Sequence, residues 1–340
     1  MKKKHINIPI FIPHLGCPNH CVFCNQRSIS GKSSFEESGI REEIERALST
    51  VRKDQEAEIA FFGGSFTGID RGLMIRLLET AQDFIRERRV ASIRLSTRPD
   101  YISEEILSVL SKYEVRCIEL GIQSMDDRVL NAAKRGHTVR DSETACRLIR
   151  EYGFSLVGQM MTGLPYSTPE AERMTAERIC ELGAEGARIY PTMVFRATEL
   201  EDMVHSGEYC PPELDDAISR TAGALEVFAD AGVPVIRIGL HSGEALYSEE
   251  GISFGVYHPA MGELVEGELY YWRIGAALLD AGGNTAGKNV TVMVPKGELS
   301  KAVGQHGRNR KRLENENPGK EFAFREKDGM EKYRVLIKFG

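Results

Sequence analysis

The chain has 340 residues, 41% of them hydrophobic, with 44 Lys and Arg against 50 Asp and Glu, for a net charge of −6. That is material for one large domain and a small one, and no apolar run reaches the roughly 20 residues of a membrane-spanning helix. The acidic balance argues against nucleic-acid binding by the whole chain. However, residues 284–340 carry +6 and residues 1–283 carry −12, and a basic tail on an acidic body points toward nucleic-acid contact. At the N-terminus, Met1-Lys-Lys-Lys-His5 has the charge of a signal peptide. The apolar stretch Ile6–Ile12 is short, carries Asn7 and leads to no cleavage site, so it reads as the first strand, Ile8–Pro13. Further strands are expected at Glu58–Phe62, Ser92–Ser96, Arg116–Leu120, Phe154–Met161, Ala187–Pro191 and Val233–Ile238. Helical patterns fill the gaps. Ser124 with Asp127 and Thr138 with Asp141 read as capping pairs, Thr168-Pro169-Glu170 as a helix start, and Gly183 as a left-handed stop. This alternation predicts βαβ units and a parallel sheet. The class is α/β: a partial (β/α)6-type barrel over residues 1–283, with active-site groups at the C-terminal strand ends. Gly282–Gly287 reads as a linker to a small basic α+β domain over residues 284–340, in the order β-α-α-β-β.

The segment His14-Leu-Gly-Cys-Pro-Asn-His-Cys-Val-Phe-Cys-Asn25 places Cys17, Cys21 and Cys24 in a C-x3-C-x2-C pattern. Three thiolates on one loop can hold three corners of an iron–sulfur cube. Four cysteines are usual, so a set of three leaves one iron open for chemistry. The alternative is a structural zinc site with His14 or His20 as fourth ligand, although zinc sites more often pair C-x2-C units across wider gaps. Seven cysteines without framework spacing point to a reducing, cytoplasmic setting.

Gly63, Gly64 and Ser65, in Phe61-Phe-Gly-Gly-Ser-Phe-Thr67, follow the second strand, where missing β-carbons allow close backbone approach. Taken with the cysteine loop, the strand–helix alternation and Phe23 just before the last cysteine, this motif resembles the radical S-adenosylmethionine (radical SAM) superfamily. The resemblance implies a [4Fe–4S] cluster on Cys17, Cys21 and Cys24, with S-adenosylmethionine chelated at the open iron. It implies a flavodoxin- or ferredoxin-type electron donor and cleavage to a 5′-deoxyadenosyl radical that abstracts a hydrogen atom. Phe23 is placed among the cofactor-binding residues, and Gly63, Gly64 and Ser65 would contact the SAM amino group, with Ser65 in place of a frequent acidic residue. Ser96, Arg98 and Gln123, at the third and fourth strand ends, are placed for the ribose or carboxylate of SAM. Strand-end hydrogen bonds and surface ion pairs are their structural alternatives.

Ser96-Thr-Arg-Pro-Asp-Tyr-Ile102, Glu119-Leu-Gly-Ile-Gln-Ser124, Lys134-Arg-Gly-His-Thr138 and Arg188-Ile-Tyr-Pro-Thr192 look like the elongator catalytic-subunit branch of that superfamily. Gly158-Gln-Met-Met-Thr-Gly-Leu-Pro165 also fits the oxygen-independent coproporphyrinogen oxidases. The resemblance covers residues 5–245, and no acetyltransferase domain is expected in a chain ending at Gly340. It implies a transferase acting on RNA, tRNA before rRNA. The alternatives are radical chemistry on a small metabolite or tetrapyrrole, and a non-catalytic metal-stabilised RNA-binding adaptor.

Cys117, Cys146 and Cys180 fall in a strand and two helices and read as core. Cys210, in Tyr-Cys-Pro-Pro, reads as a loop cysteine. His241 and Glu244 are placed to line a substrate mouth, and His137 to cap the following helix. In the tail, Gly304-Gln-His-Gly307 stands between two helices, followed by Arg308, Arg310, Lys311 and Arg312. This resembles the GXXG loop of a KH domain, which clamps a nucleic-acid backbone. Here the variable pair is not basic, and Arg310 takes the place of a core aliphatic. The alternative is a plain inter-helix turn beside a basic helix.

Overall fold

The computed structural model describes residues 4–12, 17, 21–25, 35–240, 251–255, 257–281 and 289–340. Strand β1 (Lys4–Ile12) is followed by α1 (Ile40–Leu48), β2 (Gln55–Gly63), α2 (Arg71–Arg86), β3 (Ser92–Thr97), α3 (Glu104–Leu110) and β4 (Val115–Gln123). Next come α4 (Asp127–Ala132), α5 (Val139–Glu151), β5 (Ser155–Thr162), α6 (Pro169–Glu181), β6 (Gly186–Pro191), β7 (Val194–Phe195), α7 (Glu199–His205) and α8 (Leu214–Asp230). Strands β8 (Val235–Ile238) and β9 (Ile252–Phe254) precede the long helix α9 (Met261–Asp280). The tail contains β10 (Asn289–Pro295), α10 (Leu299–Val303), α11 (Arg308–Glu316), β11 (Glu321–Lys327) and β12 (Leu336–Phe339).

The strands β1-β2-β3-β4-β5-β6-β8 pair in that order, all parallel, and curl into a half-barrel. These are the seven strands expected from the sequence, with ends differing by a few residues. Period-2 alternation sends Ile8, Ile10, Ile59, Phe61, Ile93, Leu95, Ile118 and Leu120 outward, where all are buried beneath the helices. Met74, Leu77 and Phe84 of α2 and Ile179 of α6 belong to the same core. A β-carbon on Gly158 would lie 2.5 Å from Ile179 Cγ2, so α6 seats against bare backbone of β5.

The caps follow the sequence in most places. Thr138 and Asp141 form a reciprocal capping box at α5. The Thr168 hydroxyl accepts from Ala171 N at the start of α6, and Gly183 takes φ +79° past its end. The Ser124–Asp127 pair is different. Strand β4 runs on to Gln123, so α4 starts later and Asp126 caps it by accepting from Arg128 N. Ser124 Oγ accepts instead from Asp126 N, and Asp127 accepts from Val139 N.

The tail has the expected β-α-α-β-β order. Its sheet runs β11-β10-β12, with β10 parallel to β11 and antiparallel to β12. Helix α9 serves two cores. Met261, Val265 and Leu269 pack into the barrel core, whereas Tyr270 and Ile274 pack with Val290, Val292, Leu313 and Phe322 of the tail. Residues Gly282–Gly287, read as a linker, lie outside the described residues. Among the described residues no helix is long and apolar enough to cross a membrane.

Candidate active site at the barrel rim

Cys17 and residues 21–25 lie near the C-terminal ends of β3 and β4. Cys21 is buried and Cys17 and Cys24 are half-buried. Cys24 N donates to Cys21 O at 3.0 Å. Between the two cysteines, Val22 N donates to Ala133 O (3.2 Å) and Val22 O accepts from Leu200 N (2.9 Å), which ties the loop to α4 and α7. Val22 is buried in an apolar cluster with Val129, Ala133 and Leu164, and Phe23 packs against that cluster. Phe23 therefore anchors the loop. His14 and His20 lie outside the described residues, as do His241 and Glu244.

Two buried guanidiniums face the sulfurs. Arg98, just past β3, gives Nε and Nη2 to the two carboxylate oxygens of Asp100, each at 2.9 Å, and Nη2 also donates to the Arg135 carbonyl. Its Nη1 lies 4.0 Å from Cys17 Sγ and 3.9 Å from Cys21 Sγ. Arg135, after α4, places Nη1 3.2 Å from Cys21 Sγ and gives Nη2 to Gly121 O at 2.8 Å. Burial would lower the Arg98 pKa, but the hydrogen bonds and charge of Asp100, with the cysteines, raise it above its ordinary value.

The glycine motif sits beside this pair. Gly63 holds φ +117°, and a β-carbon there would lie 2.7 Å from Ile12 O, so its missing side chain lets β2 close against the end of β1. Gly64 N donates to Ile12 O at 3.1 Å. Ser65 is 1% exposed and its hydroxyl meets Thr97 Oγ1 at 2.7 Å, which in turn meets Thr67 Oγ1 at 2.6 Å. Ser65 Oγ also accepts from Arg98 N at 3.2 Å. The serine thus closes a chain of buried hydroxyls that positions the backbone of Arg98.

A layer of charge lines the concave face below the rim, and sequence reading missed it. Glu119 of β4 has no exposed surface. It accepts from Arg94 Nη1 (3.0 Å) of β3, Gln159 Nε2 (2.8 Å) of β5, and Arg188 Nε (2.7 Å) and Nη2 (2.8 Å) of β6. Glu58 of β2 accepts from Arg94 Nε (2.7 Å) and Ser92 Oγ (2.8 Å). Burial would raise the Glu58 pKa, but Arg94 and Ser92 outweigh it and hold the carboxyl below its usual range. Ser96, half-buried, stands two residues beyond Arg94 on the same strand face. The available signal was polar residues at period 2 within apolar strands, Ser92-x-Arg94-x-Ser96 and Glu119-x-Gly121-x-Gln123.

Gln123 takes φ +67° at the end of β4. Three buried polar atoms near this strand end lack a partner among the described residues: Gln123 Oε1, Arg135 Nε and His137 Nδ1. Such atoms mark a place for a polar ligand. His137 Nε2 contacts Ile122 O at 3.3 Å. Burial, then the charges of Arg135 and Arg98, push its pKa down to about 4. Its ring therefore lies under the rim, and it is Thr138 that caps α5. Burial pushes the Cys117 and Cys146 thiols up to about 12 and the half-buried Cys180 to about 11, as core cysteines should behave. Cys210 is exposed.

In the tail, the GXXG segment forms a tight turn into α11. Gly304 (φ +77°) abuts Asn309, where a β-carbon would lie 2.8 Å from the Asn309 amide nitrogen. Gly307 (φ +73°) is the residue before α11. Most of the basic run is engaged by the protein itself. Arg308 pairs with Asp215 at 2.9 Å. Arg312 donates to Glu268 at 3.1 Å and lies over the Tyr271 ring at 3.6 Å. Arg310 is exposed, with its guanidinium 5.4 Å from the Phe324 ring centre. Lys311 is exposed and has no ion pair among the described residues. An open groove of about 620 Å³ runs beside the turn, lined by Ser300, Lys301, Gly304, Gln305, His306 and Glu263.

A curled parallel sheet with three thiols and two buried arginines at its C-terminal rim defines a cofactor-binding half-barrel. The radical SAM superfamily model matches residues 11–179, and the radical SAM C-terminal domain model matches residues 184–271. The chain belongs to the radical SAM superfamily. An uncharacterised protein of Methanocaldococcus jannaschii is 29% identical over 66% of this chain and 72% of its own length. A tRNA uridine(34) acetyltransferase of the same organism is 28% identical over 54% of this chain. The match spans 38% of that relative. Among solved structures, an archaeal Elp3 of Methanocaldococcus infernus with an N-terminal deletion aligns with TM-score 0.63 and 22% identity. That alignment covers 81% of this chain and 64% of that one, and it is a likeness of fold. The relationship is to the elongator-like branch.

Family membership implies S-adenosylmethionine and a [4Fe–4S] cluster. The donor set fits a cluster. Three thiols share one loop, none is in a disulfide, and two buried cations face the sulfurs of Cys17 and Cys21. Among the described residues no three His, Cys, Asp or Glu side chains converge as ligands of one metal ion. A cube takes each thiolate to a different iron, so convergence on one point is not required of the cysteines.

Proposed function

We propose that this chain is a radical enzyme that cleaves S-adenosylmethionine at a [4Fe–4S] cluster held by Cys17, Cys21 and Cys24 and uses the product to modify RNA, with tRNA the favoured substrate. The observation that carries the reading is Cys17, Cys21 and Cys24 held at the rim of a parallel half-barrel whose concave face is polar. When bound, the cluster and SAM supply a 5′-deoxyadenosyl radical. The protein's own residues do the rest. Val22 and Phe23 fix the loop, Arg98 and Arg135 face its sulfurs, and the Ser65–Thr97–Thr67 hydroxyls hold the strand ends. The unpartnered polar atoms of Gln123 and His137 are suited to orient a polar ligand. The Glu58–Arg94–Glu119–Arg188 layer makes the floor rigid and charged.

The RNA part rests on the +6 tail, its groove beside the GXXG turn, and the similarity to a tRNA uridine(34) acetyltransferase. Electron supply is assigned to a flavodoxin- or ferredoxin-type protein. Because Arg308 and Arg312 already bind protein carboxylates, Lys311 is the cleaner probe of docking. Bulk tRNA should stimulate SAM cleavage by the loaded protein, and binding should weaken steeply with salt. Lys311→Glu should weaken binding alike across RNA sequences and reduce the salt slope by about one. Cleavage indifferent to every RNA and stimulated by a small metabolite would overturn the RNA reading.

A further inference from the structure

We propose that Arg98 and Arg135 are positioning residues of the iron–sulfur site. They donate N–H groups to the sulfurs of Cys17 and Cys21 and thereby make the cluster easier to reduce. The inference rests on the cluster reading above. Both side chains are almost wholly buried, at 4% and 6% exposure. A buried guanidinium keeps its charge and needs an anion. Arg98 has one in Asp100, which fixes its plane through Nε and Nη2 and leaves Nη1 aimed at the two sulfurs. Arg135 has no carboxylate partner among the described residues. Its nearest group able to carry negative charge is Cys21 Sγ, 3.2 Å from Nη1.

The surroundings hold this arrangement in place. Gly121 O takes the Nη2 donor of Arg135, and a β-carbon on Gly121 would lie 3.2 Å from Gln123 Nε2 and 3.4 Å from Arg135 Nη2. The Arg135 carbonyl in turn accepts from Arg98, so the two cations are locked to one another by backbone. They stand on separate segments, one after β3 and one after α4.

One-electron reduction adds a negative charge to the sulfur cage. Fixed cations and N–H donors at the thiolates favour that more negative state, and hydrogen bonds to sulfur are a recognised determinant of cluster potential. The electron comes from an external one-electron donor, dithionite in the test below. Neither arginine needs to touch the SAM molecule for this role.

The test is an EPR-monitored redox titration with dithionite of the anaerobically reconstituted full chain, as wild type, Arg135→Gln and Arg135→Lys, with iron and sulfide content measured alongside. The expected result is unchanged iron and sulfide in Arg135→Gln with a reduction equilibrium about tenfold less favourable, equivalent to about 59 mV for one electron. Arg135→Lys, which keeps the charge but not the planar donor, should recover part of the shift. If only Arg135→Lys loads, its potential is read against the wild type: a lower potential supports the proposal and an equal one overturns it. Equal potentials in all three proteins overturn it. So does a folded protein that fails to load in both variants, because Arg135 then only shapes the loop. Wild-type protein that takes up no cluster overturns the cluster reading itself, and this inference with it.

Discussion

Glu119 carries four hydrogen bonds from three other strands at zero exposure. Replacing it with Gln would strand the buried Arg188 charge and leave Arg94 with Glu58 as its one carboxylate among the described residues. Breaking a buried pair by removing one partner costs about 3–5 kcal/mol. Glu119→Gln should lose stability on that scale in urea unfolding, whereas Arg89→Ala, which removes the exposed Glu45 pair, should change it by about 1 kcal/mol or less. Equal effects of the two would contradict the electrostatic account of the floor. His137 gives a pH test. Its pKa in the fold is about 4, against an ordinary value near 6.5. Between those values the unfolded chain binds a proton that the folded one refuses. The stability contributed by this group is therefore complete above about pH 6.5 and is lost as pH falls toward 4, about 3 kcal/mol in all. His137→Gln should flatten the drop in stability between pH 7 and pH 4.5, and an unchanged slope would count against a neutral buried ring. Sequence reading found the cysteines and the Gly-Gly-Ser turn because local spacing encodes them. It did not find Glu119, Arg94, Arg188 or Arg135 as a group, because their meeting depends on strand register and on the curl of the sheet.

At the scale of elements, the seven barrel strands were legible as short β-rich apolar runs between helical patterns. Helix α9 was not understood in the same way. It is buried at Met261, Val265, Gly267, Leu269, Tyr270 and Ile274, so it shows no single apolar stripe that assigns it to one core. The GXXG turn was read as a ligand-binding feature, and its geometry adds a structural duty. Gly304 holds φ +77° and ψ 153°, a conformation reserved for glycine, with Asn309 packed against it. The Asn309 side chain donates to Gly267 O at 2.7 Å, which joins α11 to α9. Gly304→Ala should therefore destabilise the chain by about 1–3 kcal/mol even without RNA present. A thermal shift measurement checks this, and an unshifted midpoint would show that the turn is freer than its packing implies.

At the scale of the molecule, an acidic half-barrel and a basic tail share one helix. Tyr270, at zero exposure, contacts both Glu298 and the Tyr333 amide across that junction. The tail carries +6 and residues 1–283 carry −12, so the proposed RNA contact is placed on the tail. The central claim is narrower than any substrate: the rim cysteines hold a cluster that cleaves SAM. The most direct measurement is 5′-deoxyadenosine formed after anaerobic reconstitution with iron and sulfide and addition of SAM and dithionite, with Cys17→Ala, Cys21→Ala and Cys24→Ala run beside the wild type. Cleavage by the wild type that falls to background in each of the three variants is the predicted result. A wild-type protein that binds zinc and forms no cluster, or cleavage that survives loss of a cysteine, would contradict it.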